Sequence, residues 1–379
     1  MLITLLVAFL FATFTSMKRN KKHLFLIALL PVQYVVIQLL SKNPELIENY
    51  YSTGFYPPIA IFFRVLFGWI SFSFGDILLF ISIFLLLRFL FLLIKTKFQF
   101  FIPKIVHLLA IISILYGCFY LFWGLNYYRE PLSKNLKFEQ KKYTTDELNN
   151  LTKHLLEKLN LSQISITKND SLKVKNPYHQ KEMYQIAVES YRTLAQKYPQ
   201  FSYQFPSVKS SLMSLLQSYN GTSGYFNPLT GEAQVNSRIP KTSYPTTTCH
   251  EIAHQLGFAA ENEANFIGFL AANSSDDAYF KYASYRMAFG YCISELRKRE
   301  PEKQALLMKS VNVGILKDFK ESFDFWEHYQ NPFEPLIKKG YDAYLKANNQ
   351  QKGVDSYNYV VDLLISHFEK NEYENTNLN

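Results

Sequence analysis

Cysteine is scarce: Cys118, Cys249 and Cys292 are the only three in 379 residues. Their separations match neither metal-ligand spacing nor a disulfide framework, which excludes a thiolate cluster and a cross-linked small scaffold. Cys118 lies in an apolar stretch and reads as packing, while Cys249 and Cys292 could pair only in an oxidising compartment. A basic stripe is lacking too. The formal charge is +9, but Met1 to Gly124 hold 10 basic and 3 acidic residues (+7), and Leu125 to Asn379 hold 30 and 28 (+2). A nearly neutral C-terminal region offers no phosphate-binding surface, so nucleic acid is excluded as a partner. No internal repeat is present. What the chain has is apolar and aromatic residues, 48% and 17%, which exclude a disordered protein.

The apolar residues are concentrated early. Leu24 to Leu40, Ile77 to Ile94 and Ile105 to Trp123 are nearly continuous apolar runs of spanning length, and the lipid bilayer is the implied partner. Arg88 sits late in the second run, where it can snorkel. Leu2 to Ser16 is shorter, and its basic residues follow it, unlike a cleaved signal peptide. It is either a fourth span or precedes a start at Met17. Lys18, Arg19, Lys21 and Lys22 before the first long run, and Lys95, Lys97 and Lys104 between the next two, place both regions in the cytoplasm. Ser41 to Gly75 then faces outward, with an Arg64-containing segment after Pro57 and Pro58 that reads as interfacial or re-entrant. Everything after Trp123 is expected on the non-cytoplasmic side, consistent with a bacterial inner-membrane protein. Residues 1-124 are therefore expected as a transmembrane region with three or four spans, 125-368 as an extracytoplasmic domain and 369-379 as a disordered tail.

Beyond the membrane the pattern is mostly helical. Thr144 or Thr145 caps a helix carrying Leu148, Leu151, Leu155 and Leu159. Further helices are expected over about 181–198, 260–272, 279–297 and 357–368. Gly224 to Asn236 reads as a hairpin around a Pro- and Gly-containing turn. After Pro240 and Pro245, a helix starting among Thr246, Thr247 and Thr248 ends at Gly257, which suits a left-handed cap. His107 and His179 have no legible partner and no assigned role.

That last helix carries His250-Glu251-Ile252-Ala253-His254. Residues four apart share a helix face, so both imidazoles can address one Zn2+ ion. Glu251 lies further round, where it can hold a water and take its proton. Ile252, Ala253, Gln255 and Leu256 are uncharged, as suits a buried helix. A catalytic zinc needs a third protein ligand, and Glu261 and Glu263 arrive just after the Gly257 turn. They point about 200° apart, so only one faces the ion. Glu261 is favoured, with Asn265 one turn on as the hydrogen-bond partner of a ligand histidine, and Glu263 is the alternative. Tyr282, Tyr285 and Arg286 are available as oxyanion donors, although aromatic helix faces also serve as core.

Thr247 to Leu256 resembles the extended signature of zincin peptidases. Glu261-Asn262-Glu263-Ala264-Asn265 is similar to the Glu-x-x-Ala-Asn helix of gluzincins, among them the membrane prenyl-protein peptidases. The resemblance implies His250, His254 and Glu261 as zinc ligands and Glu251 as general base. The lead from His254 to Glu261 is shorter than in most gluzincins, and Ala260 stands at the third-histidine place of a metzincin turn. Over nearly its whole length the chain also resembles a family of bacterial membrane proteins filed as a domain of unknown function, with a His-Glu-Ile-Ala-His-Gln motif. The expected architecture is an N-terminal α-helical transmembrane region followed by a helix-rich α+β zincin-like metallopeptidase domain. Its expected function is zinc-dependent hydrolysis of a peptide or protein substrate. A non-catalytic receptor or assembly protein retaining a zincin fold is the alternative, and a transporter is disfavoured by the large domain outside the bilayer.

Overall fold

A computed structural model describes residues 21–138 and 142–376; the Leu2 to Ser16 run and the choice between Met1 and Met17 lie outside the described residues. The chain opens with α1 (Lys21–Leu40), continues through a π-helical stretch (Ile47–Phe55) into α2 (Tyr56–Gly68), and then forms α3 (Phe74–Lys95) and α4 (Phe101–Phe122). α1, α3 and α4 have the length and mean hydropathy (2.0, 3.0 and 2.2) of membrane spans. Ser73 caps α3 by accepting from Asp76 N, and Lys104 ties the α3–α4 turn by donating to Leu92 O and Thr96 Oγ1 at 2.9 Å each. His107 does have a partner: its Nδ1 lies 3.2 Å from His23 Nε2. The ends of these helices near Leu40, Phe74 and Phe122 lie against the rest of the chain: Ile37 and Tyr120 join a core with Tyr51 and Ala259, and Phe74 N donates to Glu232 Oε1 at 3.1 Å.

α2 is not simply laid on a membrane surface. Arg64 is buried, donating to Gln204 O and Gln255 O at 3.1 Å each and stacking on the Tyr203 ring. Phe62 and Val65 of the same helix, and Trp69 just after it, stay exposed. A core of Ile37, Tyr51, Tyr56, Tyr120, Trp123 and Ala259 joins the membrane segments to the domain. A buried ion pair, Arg129 to Glu48 at 2.7 Å, crosses the same boundary.

The domain contains α5 (Thr145–Thr167), α6 (Gln180–Lys197), β1 (Val208–Ser210), α7 (Ser214–Asn220), β2 (Gly224–Asn227) and β3 (Glu232–Val235). It continues with α8 (Tyr244–Gln255), α9 (Glu261–Ser274), α10 (Ala278–Arg299), α11 (Pro301–Met308), α12 (Val313–His328), α13 (Glu334–Ala347) and α14 (Val360–Thr376). α5 starts with the expected capping box, Thr144 with Glu147, and buries Leu148, Leu151, Leu155 and Leu159 on one stripe. His179 is the N-cap of α6, its backbone N–H donating to Glu182 Oε2 at 2.6 Å.

The expected hairpin forms as β2 and β3, with Gly231 at φ +65° in the turn. β1 joins in parallel on the other side of β3, giving the order β1-β3-β2 and leaving β2 at an edge. Two features differ from the sequence reading, and the unpaired cysteines agree with it. α8 begins at Tyr244, because Pro245 lacks an N–H and so fits a first helical turn instead of ending a loop. The final helix runs to Thr376, past the Phe368 at which order was expected to end. Cys249 and Cys292 are buried free thiols and do not pair.

Candidate metal centre

Four residues of α8 set the site. His250, Glu251 and His254 face inward, and the adjacent Gln255 locks the helix to the sheet by donating to Ser207 O (3.0 Å) and Gly231 O (2.6 Å) while accepting from Tyr203 Oη (2.6 Å). The last α8 carbonyls receive donors from the membrane segments, His254 O in addition to its bond from Gly257 N. Trp123 Nε1 donates to His254 O at 3.1 Å, and Tyr56 Oη and Arg64 Nη1 donate to Gln255 O at 2.9 and 3.1 Å. Gly257, at φ +86°, reverses the chain, and a Cβ there would stand 2.8 Å from the Tyr56 ring.

The turn delivers α9 against α8. Glu261, Asn265 and Gly268 fall at i, i+4 and i+7 and so share one face. Gly268 permits the close crossing: a Cβ there would lie 3.1 Å from His250 N and 3.2 Å from Thr246 O. Glu261 is thereby brought to the histidines, its Oε2 lying 3.2 Å from His250 Nε2 and 3.5 Å from His254 Nε2. One ligand atom each of His250, His254 and Glu261 lies within 4.8 Å of the others. Glu263 points away; its Oε1 accepts from Leu132 N at 2.6 Å, so the alternative third ligand instead anchors the chain entering the domain.

The outer atoms define the orientation of each group. His250 Nδ1 lies 2.9 Å from Asn265 Oδ1, and His254 Nδ1 lies 2.7 Å from Phe258 O. Both acceptors require N–H on Nδ1, which leaves the two Nε2 lone pairs directed at Glu261. Asn265 is itself oriented by donating to Tyr291 Oη at 3.1 Å. Glu261 Oε1 accepts from Tyr341 Oη at 2.9 Å, while Glu261 Oε2 and Glu251 Oε2 are buried and receive no hydrogen bond. Two imidazole Nε2 atoms, once free of protons, and a carboxylate oxygen without another hydrogen bond fit a divalent cation, and two histidines with one glutamate are a donor set of catalytic zinc.

The same atoms compete for protons. Burial works against the charged form of His254, but the Glu261 carboxylate outweighs it and lifts the imidazole to about 9. Burial likewise opposes ionisation of Glu261, and the two histidines more than offset it, holding the carboxyl well below its ordinary range. Burial pushes Glu251 up to about 7 against the pull of His250 and His254. Glu251 packs on the β2 edge, where Gly224 makes room: a Cβ there would stand 2.7 Å from Glu251 Oε1.

Of the three oxyanion candidates, none has a hydrogen bond into this group. Tyr282 Oη donates to Asp318 Oδ2 at 2.6 Å, Arg286 donates to Asp318 O and Ser322 Oγ over the Phe319 ring, and Tyr285 packs against the core. The tyrosine beside the histidine–glutamate group is Tyr341 of α13, with Tyr344 hydrogen-bonded to Tyr127 next to it (3.2 Å). Trp123 forms a wall, its ring centroid 5.9 Å from that of His254 and 5.3 Å from that of Phe226 in β2. Trp123 is legible in the sequence only as a membrane-interface aromatic, and Tyr341 has no local signature because its role depends on a contact 80 residues away.

No curated protein and no solved structure matches the chain. A family model does, over residues 51–365, a span that runs from the π-helical stretch through His250, His254 and Glu261 into the last helix. On that match the chain belongs to the protein family of unknown function DUF3810.

Proposed function

We propose that this protein is a membrane-anchored zinc metallopeptidase that hydrolyses peptide bonds, with a zincin-like domain on the non-cytoplasmic face of the membrane. One observation carries the reading: two histidine Nε2 atoms and a Glu261 oxygen converge, with the unpartnered carboxylate of Glu251 on the same helix. His250, His254 and Glu261 would hold the ion. Zinc bound there supplies a Lewis acid and makes water nucleophilic at neutral pH.

The chain's own residues do the rest. Glu251, raised to about 7, is poised to accept the proton of the attacking water and return it to the leaving amine. The β2 edge beside Glu251 offers backbone groups to an extended substrate. Tyr341, whose hydroxyl donates to Glu261, is the hydroxyl beside the histidine–glutamate group that would donate to a developing oxyanion. The outward orientation is supported by the lysines at the opposite ends of the spans.

Purified full-length protein tests this directly. Wild type is expected to carry zinc and to cleave a peptide library. Glu251→Gln should retain the zinc and lose about 10²–10⁴-fold in turnover, and His254→Ala should lose the metal. Equal zinc in wild type and His254→Ala overturns the site. Unchanged turnover in Glu251→Gln overturns the mechanism. A reporter fused after Asn379 that works only in the cytoplasm should be silent.

A further inference from the structure

Two short amphipathic helices flank the metal centre with their apolar faces uncovered. On α7, Leu215, Leu216 and Tyr219 are exposed together with the preceding Leu212, while Ser214, Gln217 and Ser218 are buried. This inverts the usual pattern of a soluble domain, in which the apolar face turns inward. On α13, Leu336, Ile337 and Tyr344 lie within about 100° of one another, with Phe333 just before the helix between them. All four are exposed, Leu336 to 69% and Phe333 to 70%. A Cβ at Gly340, on this same face, would meet nothing within 4 Å.

Both helices are tied to the outer ends of the spans. Leu212 N and Ser211 Oγ donate to Asp76 in the first turn of α3, at 2.7 and 2.9 Å, so α7 begins at the level where α3 leaves the bilayer. At the far end of α13, Asn348 Oδ1 accepts from Tyr120 Oη of α4 at 3.0 Å, and the Tyr344 and Phe119 rings lie 6.4 Å apart. The near end of α13 approaches the end of α7, where Asn331 Nδ2 donates to Tyr219 O at 2.7 Å. Between its two moorings α13 passes the metal centre, with Tyr341 on Glu261. The exposed apolar band is therefore continuous with the spanning helices and runs past the site.

We infer that α7 and α13 lie in the outer leaflet of the bilayer and that the metal centre is loaded from the lipid, its substrates being membrane-anchored polypeptides cleaved close to the membrane surface. Water is the wrong solvent for so large an apolar band. Amphipathic helices with this distribution bury their apolar face at the headgroup–acyl boundary. A peptide already held in the bilayer arrives beside the β2 edge at high effective concentration. The substrate class rests on the peptidase reading; the membrane seating does not.

The test separates the two. In full-length protein with Cys118→Ser, an environment-sensitive fluorophore is placed at Leu215→Cys, Leu336→Cys or Lys338→Cys, and the protein is reconstituted in vesicles containing nitroxide-labelled lipid. Labels at 215 and 336 are expected to be quenched at least threefold more than the label at 338 on the polar side of α13. Equal quenching overturns the seating whatever the enzymology. In the same vesicles, two reporters with one scissile sequence are compared, one soluble and one joined to a spanning helix. The anchored reporter should be cleaved at least tenfold faster, and Leu215→Glu with Leu336→Glu should bring the ratio within twofold at unchanged zinc content. Equal cleavage of the two by wild type overturns the substrate class while leaving the peptidase intact. Cleavage of neither, with 215 and 336 quenched, overturns the peptidase reading and its substrate class and upholds the seating.

Discussion

Glu261 and Glu263 stand two residues apart and act in opposite directions. Glu261 is drawn to two imidazoles and ionises easily, whereas burial raises Glu263 to about 7, partly offset by the Leu132 N–H and by Arg129. Because the folded Glu263 holds its proton above the ordinary carboxylate range, its contribution to stability is fully present below about pH 4.5 and is lost as pH rises through 7. Glu263→Gln keeps an oxygen for Leu132 N and removes the ionisation. At pH 8 it should be more stable than wild type by on the order of 2 kcal/mol, and so melt at a higher temperature, with zinc content unchanged; Glu261→Gln should lose zinc. The pair of melting curves at pH 5 and 8 checks the sign. His254, raised to about 9, carries a proton at neutral pH that the metal must displace. Apparent zinc affinity should therefore climb from pH 7 and level off above about 9. Calorimetry in buffers of different ionisation enthalpy should register proton release at pH 7. The choice between the two glutamates was legible only as a geometric alternative. Periodicity says that they diverge; which one turns to the histidines depends on how α9 is set down on α8 at Gly268.

At the scale of elements, β2 and α8 are held at a separation that only glycine allows. In Gly224→Ala the new methyl would press on Glu251 Oε1, which can rotate, and lie 2.9 Å from Gln234 O, which is backbone and cannot. Turnover should fall by about 10²-fold or more while metal content stays constant, measured as kcat alongside zinc analysis. α5, α6, α8, α9 and the hairpin could be read from caps, turn residues and period, because their apolar stripes are buried and therefore regular. β1 could not: a three-residue parallel strand has no turn signal linking it to its partner. α12 and α13 escaped for a different reason. Leu316 and Phe323 on the first and Leu336 and Ile337 on the second are exposed, so apolar residues there do not mark an inward face.

For the whole molecule, the membrane segments and the domain are one construction around the site. Tyr56, Arg64 and Trp123, all before residue 125, satisfy the last carbonyls of the motif helix. Each of these carbonyls keeps a second donor, so removing one costs only the net value of a hydrogen bond, about 1 kcal/mol. Arg64→Ala should lower the thermal stability of the purified protein by about that amount, and its zinc off-rate should rise. A fragment beginning at Leu125 would lose all three donors and should bind zinc much more weakly than the full chain, as equilibrium dialysis would report. The sequence by itself determined the spans, the lysine asymmetry, and the histidine pair with its glutamate, because hydropathy, charge and helical spacing are local properties. Tertiary structure decided which groups meet: Glu261 and not Glu263 lies at the histidines, Tyr341 and not Tyr282 or Arg286 reaches Glu261, and Tyr56, Arg64 and Trp123 bond the end of the motif helix. Those outcomes depend on helix crossings and long-range hydrogen bonds, whose partners no local pattern encodes.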